Sequence, residues 1–402
     1  MDKKTVRDMD VRGKRVFVRV DFNVPLSETG QVTDDTRIRE SLPTLKYLLE
    51  RRCSLVLMSH LGRPKGKADD RQKFTLRPAA KRLEQLLGSP VIMADGIVDD
   101  ATRKLATALK PGQVLMLENI RFDPREEKDD PEFARELASL VGSGALFVQD
   151  AFGSVHRAHT STHACANVLP GYAGFLLDKE ITYFSKVLTA PDRPFVSILG
   201  GAKVSDKIEV IENLLHKVDA IIIGGAMAYT FLLARGIKVG ASLVEPEKTD
   251  LARNLLKKAE ERNVNLFLPI DHIVTDKVDV TGTAKECPAI DIPDGMIGVD
   301  IGKNSVARIA GIITGAKTVV WNGPMGVFEI EQFQHGTKAV AELVAEATRK
   351  GAISVVGGGD SVSAVKKFGV AGSISHISTG GGASLELLEG KTLPGIAVLK
   401  DR

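Results

Sequence analysis

Short runs rich in Val, Ile, Leu and Phe alternate with helix-spaced stretches along almost the whole chain, the pattern of βαβ units feeding parallel sheets. In the first half, residues 16–20, 55–58, 114–117 and 146–149 are predicted strands. Between them, residues 35–52 and 76–87 space Leu, Ile and Ala as a helix does, and residues 131–141 open with Pro131 where a helix accepts proline. The second half repeats the plan, with strands predicted at 195–199, 220–223, 265–268, 318–321, 353–356 and 374–377. No period of roughly 20 to 50 residues recurs, which excludes a solenoid and leaves two similar α/β halves.

A chain of 402 residues exceeds one comfortable core, so two domains are expected. The first is taken as residues 1–175 and the second as 176–387, with a tail from 388 to 402. Residues 169–174, Leu-Pro-Gly-Tyr-Ala-Gly, place proline and glycine ahead of an amphipathic stretch at 176–188. They read as a linker into a connecting hinge helix. The tail carries Ile396 to Leu399, apolar enough to pack.

Composition narrows the class. At 43% apolar and 26% charged the chain is ordinary globular protein, and a net charge of +3 provides no dense basic face for a nucleic acid. Cys53, Cys165 and Cys287 are far apart with no Cys-x-x-Cys, so reduced, buried thiols in a cytoplasmic protein are expected, and not a disulfide framework. No signal-like segment opens the chain and no apolar run approaches the roughly 18 residues of a membrane helix. A soluble protein without a membrane partner is expected.

The two halves end their strands in different chemistry. The first places Arg and His there, in Val20-Asp21-Phe22-Asn23, Ser59-His60-Leu61-Gly62-Arg63, Glu118-Asn119-Ile120-Arg121-Phe122 and His156-Arg157-Ala158-His159. Ligands of open α/β sheets sit outside the carboxyl ends of strands. Arg37, Arg63, Arg121 and Arg157, with His60 and His159, suit a small dianion, because the guanidinium fork bonds two oxygens at once. Asp21 and Asn23 would take its hydroxyls. Any one of these arginines alone reads as a solvated surface charge; four at one edge read as a site. His156, His159, His163 and Cys165 have spacings a zinc site could use, but Arg157 lies among them and Thr160-Ser161-Thr162 opposes a regular helix. Anion binding is the preferred reading.

The second half places glycine at its strand ends: Gly200-Gly201-Ala202-Lys203, Gly224-Gly225-Ala226, Asn322-Gly323-Pro324-Met325-Gly326, Gly357-Gly358-Gly359-Asp360-Ser361 and Gly380-Gly381-Gly382. Such loops aim backbone N–H groups at phosphate. The loop from Gly200 to Lys207 lacks the Walker spacing, yet Lys203 and Lys207, four apart, would lean toward one phosphate chain if the loop enters a helix. A helix start with two exposed lysines is the plain alternative. Asp360 or Ser361 is expected to cap the helix that follows, and the Asp360 carboxylate could hold Mg²⁺. Two anionic ligands, one to each half, suggest group transfer.

Residues 14–25, Lys-Arg-Val-Phe-Val-Arg-Val-Asp-Phe-Asn-Val-Pro, form a long and specific motif. With residues 33–38, 59–64, 199–207, 321–329 and the two triple-glycine loops, the chain resembles the phosphoglycerate kinase family over essentially its whole length. The resemblance implies two Rossmann-like three-layer domains with parallel sheets joined by a hinge helix. The first would bind 3-phosphoglycerate or 1,3-bisphosphoglycerate and the second MgADP or MgATP, in a monomeric cytoplasmic enzyme whose C-terminal tail returns to the first domain. It places Asp21, Phe22, Asn23, Arg37 and His60 at the substrate, together with Leu61, Gly62, Arg63, Arg121 and Arg157. Arg37, Lys203, Gly381 and Gly382 would flank the transferring phosphoryl. Lys207, Gly298, Glu329, Gly358, Gly359, Asp360 and Ser361 would contact the nucleotide, Asp360 also its Mg²⁺. One departure is Tyr229, where asparagine is more familiar; it bears on the fine structure near the nucleotide pocket.

The expected reaction is reversible phosphoryl transfer from 1,3-bisphosphoglycerate to ADP, achieved by alignment and charge stabilisation after domain closure. Two other classes compete. A two-domain anion- or solute-binding protein also closes on anions but normally requires export. A dehydrogenase needs Gly-x-Gly-x-x-Gly after a strand, which no strand here has. Formation of ATP from an acyl phosphate separates all three.

Overall fold

The computed structural model describes residues 2–402. The chain divides into two compact units: unit 1 runs through Thr182 and takes up Thr392–Arg402 again, and unit 2 spans Tyr183–Lys391.

Unit 1 holds six strands, β1 (Arg15–Arg19), β2 (Ser54–Met58), β3 (Val91–Met93), β4 (Val114–Met116), β5 (Leu146–Gln149) and β6 (Gly171–Ala173), in the order β3-β4-β2-β1-β5-β6. Every pairing is parallel. All residues of β2 and β5 are buried, as in a sheet covered on both faces. Helices Thr36–Glu50 and Arg77–Leu87 lie against each other, and their Ile38, Leu45, Leu48 and Leu83 join the core of β1 and β2. From β1 the chain moves to one flank through β2 and later crosses to the other at β5. The strand order therefore reverses at β1, and the loops bearing Arg and His leave the carboxyl ends of β4, β2, β1 and β5 around that point.

Residues 169–174 are not a linker. Gly171–Ala173 form β6, which pairs with β5 and also exchanges hydrogen bonds with the N-terminal segment: Ala173 N–H donates to the Lys4 carbonyl and Val6 N–H to the Ala173 carbonyl, both at 2.9 Å. The proline and glycine have local reasons. The Pro170 carbonyl accepts the Phe147 N–H, and a Cβ on Gly171 would come within 3.0 Å of Leu399 and 3.1 Å of Ala166. Composition that resembles a linker here marks an edge strand overlaid by the last residues.

Those last residues are held tightly. Gly395 N–H donates to the Val155 carbonyl at 2.9 Å and Lys400 N–H to Gly171 at 3.1 Å, while Lys3 Nζ reaches the carbonyls of Ala397 and Leu399. Leu393, Ile396 and Leu399 are buried. The chain passes to unit 2 along helix Phe175–Thr189, whose first N–H groups bond to Thr44 Oγ1 and the buried carboxylate of Asp150.

Unit 2 contains β7 (Phe195–Leu199), β8 (Ala220–Ile223), β9 (Asn265–Phe267), β10 (His272–Thr275), β11 (Lys285–Cys287), β12 (Ile297–Ile301), β13 (Thr318–Asn322), β14 (Ile353–Gly357) and β15 (His376–Ile377). Six form a parallel sheet in the order β15-β14-β13-β7-β8-β9, with β7, β8 and β13 wholly buried. Strands β10 to β12 make a separate antiparallel sheet that the hydrophobic pattern did not predict, since β11 exposes Lys285 and Glu286 and has no apolar run. Among the described residues no helix is long and apolar enough to cross a membrane.

Candidate active site

The loop after β1 turns on Asp21, which is 5% exposed. Its Oδ1 accepts the Asn23 N–H and its Oδ2 accepts Arg37 Nη1 at 2.6 Å, the arginine coming from the first turn of helix Thr36–Glu50. Burial pushes the Asp21 carboxyl up, but the Arg37 charge beside it, supported by Arg19 and the Asn23 N–H, overrides this and holds it at about 2. Asn23 Oδ1 accepts the Gly62 N–H at 2.9 Å, tying the β1 loop to the β2 loop. Gly62 has φ +60°, and a Cβ there would lie 2.4 Å from the Phe74 ring, so glycine is required. The Gly62 carbonyl in turn accepts Arg121 Nη1 at 2.8 Å. Phe22 and Leu61 are core residues: Phe22 spends its N–H on Ser59 Oγ and its carbonyl on Val24, and the Leu61 carbonyl accepts Asn119 Nδ2. They shape the loops and bring no free side-chain group.

The remaining cations surround this frame. The Arg121 side chain is 8% exposed and its Nε is buried without a hydrogen bond; burial and the charges of Arg19 and Arg157 lower its pKa. That Nε lies 3.5 Å from the Glu127 carboxylate, an ion pair longer than a good hydrogen bond, so the guanidinium keeps its charge at the cradle while tethered on one side. Arg157 is half-buried and donates to His156 Nε2 at 3.1 Å, whereas Arg63 is exposed. Burial and the Arg121 charge bring His159 down to about 4. The four candidate zinc ligands do not converge. His156 meets Arg157, His159 lies 3.9 Å from Glu126, His163 bonds Asp129 at 2.7 Å and Cys165 is buried. The segment Thr160–Ala164 is a π-helical turn, which breaks the i, i+4 register the zinc reading required.

In unit 2 several glycines serve packing. A Cβ on Gly200 would strike the Pro324 carbonyl, and one on Gly225 would lie 2.6 Å from the backbone of Gly201, so the loops after β7, β8 and β13 stack backbone on backbone. Two loops do present helix starts. Gly358, at φ +86°, precedes helix Gly359–Lys367, and Gly381, at φ +51°, precedes helix Gly382–Leu388, beside the neighbouring ends of β14 and β15. Neither Asp360 nor Ser361 caps the first of these. Asp360 is exposed, and the buried Ser361 uses its hydroxyl to accept the Gly323 N–H at 2.6 Å, linking the β14 loop to the β13 loop.

Lys203 and Lys207 do not share a helical face, because the helix begins only at Ile208. Lys203 is exposed in the loop; Lys207 donates to Asn322 Oδ1, and burial brings its ammonium down to about 8 against the pull of Asp206, Glu389 and Asp360. Glu329 is exposed. Gly298 on β12 donates to Ser242 Oγ and lies against the ring of the buried Tyr229, whose hydroxyl would be 2.4 Å from a Cβ on Gly298. Tyr229 therefore fills the space a side chain at 298 would need. Asn322 and Asn119 carry structural links that reading by residue charge overlooked; both stand inside motifs quoted from the sequence, next to residues that drew attention.

A sequence model of phosphoglycerate kinase matches residues 6–391. The chain is 56% identical to the phosphoglycerate kinase of Chloroflexus aurantiacus and 53% identical to that of Chlorobium limicola, with all of each chain covered. Among solved structures, phosphoglycerate kinase from Coxiella burnetii is 40% identical with a TM-score of 0.87, and that from Pyrococcus horikoshii 32% with 0.81, each comparison covering 98% of both chains. With parallel α/β sheets in both units and an arginine cradle beside the strand reversal of the first, the chain belongs to the phosphoglycerate kinase family and is a kinase.

Proposed function

We propose that the chain reversibly transfers the acyl phosphoryl of 1,3-bisphosphoglycerate to ADP, giving 3-phosphoglycerate and ATP, as a cytoplasmic monomer. The observation that carries this is the unit 1 cradle, where Arg37 pairs with an ionised Asp21, Arg37 and Arg121 act on the buried His60, and Arg157 acts on Arg121. Arg63, Arg121, Arg157 and His60 take the phosphate and carboxylate of the substrate, and Asp21 with Asn23 its hydroxyl. Arg37 and Lys203 flank the transferring phosphoryl, aided by the N–H groups of Gly381 and Gly382. In this arrangement the protein supplies alignment and charge stabilisation, and no covalent intermediate is needed.

Unit 2 takes the nucleotide. Lys207 and the helix start at Gly358, Gly359 and Ser361 receive phosphates, Gly298 the base region beside Tyr229, and Glu329 the ribose. The exposed Asp360 carboxylate, within electrostatic reach of Lys207, fits a magnesium ion arriving on nucleotide phosphates, since Mg²⁺ takes one or two carboxylates and completes its shell with phosphate and water. When bound, that ion supplies charge neutralisation at the phosphates. In-line transfer requires both ligands to meet, so binding of the two together draws the units closed. The test is ATP formation from ADP and 1,3-bisphosphoglycerate by the purified chain. Binding of 3-phosphoglycerate without any ATP formation would leave an anion-binding protein and overturn the proposal.

A further inference from the structure

Arg19, the last residue of β1, is 1% exposed and among the largest fully buried side chains of the protein. A buried guanidinium must find acceptors for its donors. Its Nε donates to Ser161 Oγ at 2.8 Å, Nη1 to the Val20 carbonyl, and Nη2 contacts His60 Nδ1 at 3.1 Å and Ser154 Oγ at 3.5 Å. Behind Ser161 stands Glu126, wholly buried, which accepts the Ser161 hydroxyl at 2.6 Å and its N–H at 2.9 Å. A carboxylate, a hydroxyl, a guanidinium and an imidazole thus form one continuous chain beneath the cradle.

The chemistry of the last link is one-sided. A guanidinium only donates, so His60 Nδ1 must accept, and the imidazole proton must sit on Nε2. Nε2 is bonded to no described residue and is not among the atoms sealed from solvent. We propose that Glu126, Ser161 and Arg19 act as a positioning relay that fixes His60 as the neutral Nε2–H tautomer, an uncharged donor to an oxygen of the phosphoglycerate.

This rests on the reading of His60 as a substrate contact. The surroundings agree with it. The charged groups that act on His60 are Asp21 and Arg19 from β1 and its loop, Arg121 from the turn Ile120–Phe122 and Arg37 from helix Thr36–Glu50. Burial disfavours the imidazolium, Asp21 alone favours it, and the three guanidiniums oppose it, so its pKa falls well below the ordinary value. A neutral donor adds direction to a cradle already rich in charge.

The direct test is ¹⁵N-histidine NMR of the intact protein, with the His60 resonances assigned from a His60→Gln sample. The Nε2–H pattern should persist from pH 5 to 9, and the Nε2 signal should move on adding 3-phosphoglycerate. An imidazolium or an Nδ1–H tautomer within that range overturns the proposal, as does an unmoved signal in protein that forms ATP. If ATP formation is absent, the functional reading fails while the tautomer measurement still decides the relay. Kinetics give a second readout. In Ser161→Ala and Arg19→Met, KM for 3-phosphoglycerate at pH 8 should rise roughly tenfold, the effect of misorienting one charge-assisted hydrogen bond, with kcat within about twofold. The rise should shrink at pH 5.5 relative to wild type, where a released His60 protonates and regains an N–H on both nitrogens. Arg19→Lys, which also only donates, should restore the tautomer. A folded Ser161→Ala protein with wild-type spectra and an unchanged pH profile overturns the relay even if Arg19→Met does not fold.

Discussion

Replacing Arg37 separates what its charge does for the fold from what its shape does for the reaction. Its guanidinium bonds Asp21 at 2.6 Å, and that carboxyl, ordinarily 3.8, is held at about 2 despite burial. The difference is worth on the order of 2 kcal/mol of stability at pH 7. A depressed carboxyl stabilises the fold fully above its unfolded value and loses that contribution as pH falls through the folded one. The same arithmetic leaves roughly half of it at pH 3. Arg37 is the largest of several groups that lower Asp21, so Arg37→Ala should lose on the order of 1 to 2 kcal/mol at pH 7 and about half that at pH 3, together with a drop in kcat of roughly 10² to 10⁴ and substrate affinity within about tenfold. Arg37→Lys should recover most of the stability, because it keeps a charge beside Asp21, and little of kcat, because it lacks the fork. Urea melts at the two pH values, with initial rates of ATP formation, measure both halves. An equal stability loss at pH 3 and pH 7 would refute the electrostatic account, and a near-normal kcat in the alanine variant would remove Arg37 from the reaction.

Other outcomes follow from the same geometry. Asp360→Asn should raise the Mg²⁺ needed for activity and weaken MgATP binding while leaving 3-phosphoglycerate binding unchanged, as titration calorimetry will show; equal loss of both would mean damage to the fold. Gly62→Ala, strained by φ +60° and by the Phe74 ring, should cost about 1 to 3 kcal/mol and raise KM for 3-phosphoglycerate at least about tenfold, and normal kinetics would sink the reading of that loop. Because Lys207 sits at about 8, ADP phosphates should pull it upward, so nucleotide binding at pH 8 should take up about half a proton, visible as a buffer-dependent enthalpy that Lys207→Met abolishes. The radius of gyration from small-angle scattering should fall clearly only with both ligands present, and a constant radius would end the closure proposal.

Much of the fold was legible because its central strands are buried on both faces and read as apolar runs. Strands β3 and β6 and the β10 to β12 sheet were not, since β3 is a three-residue, half-buried edge strand, the other edge tolerates Pro170 and Gly171, and a half-exposed sheet carries Lys285 and Glu286 without a hydrophobic signature. The cradle was legible through its arginines, whose number at one sheet edge exceeds what solvation explains. Its foundation was not. Arg19, Glu126 and Ser161 are residue types usually found at surfaces, and only their burial and mutual bonds show what they hold. Glycine carries a second reason that residue type does not show: Gly200 and Gly225 are required by close backbone packing between loops.

The return of Thr392–Arg402 to unit 1 has a consequence for synthesis on the ribosome. Domains are ordinarily completed in the order they are translated. Here every residue of unit 2 precedes the segment that bonds Val155 and Gly171, so unit 2 can finish folding on the nascent chain while unit 1 still lacks its final piece. Val155 immediately precedes His156 and Arg157, and the cradle is therefore buttressed only once translation has passed Gly395. A chain stalled before Gly395 would carry a complete unit 2 and a unit 1 that lacks the segment bonded to Val155 and Gly171.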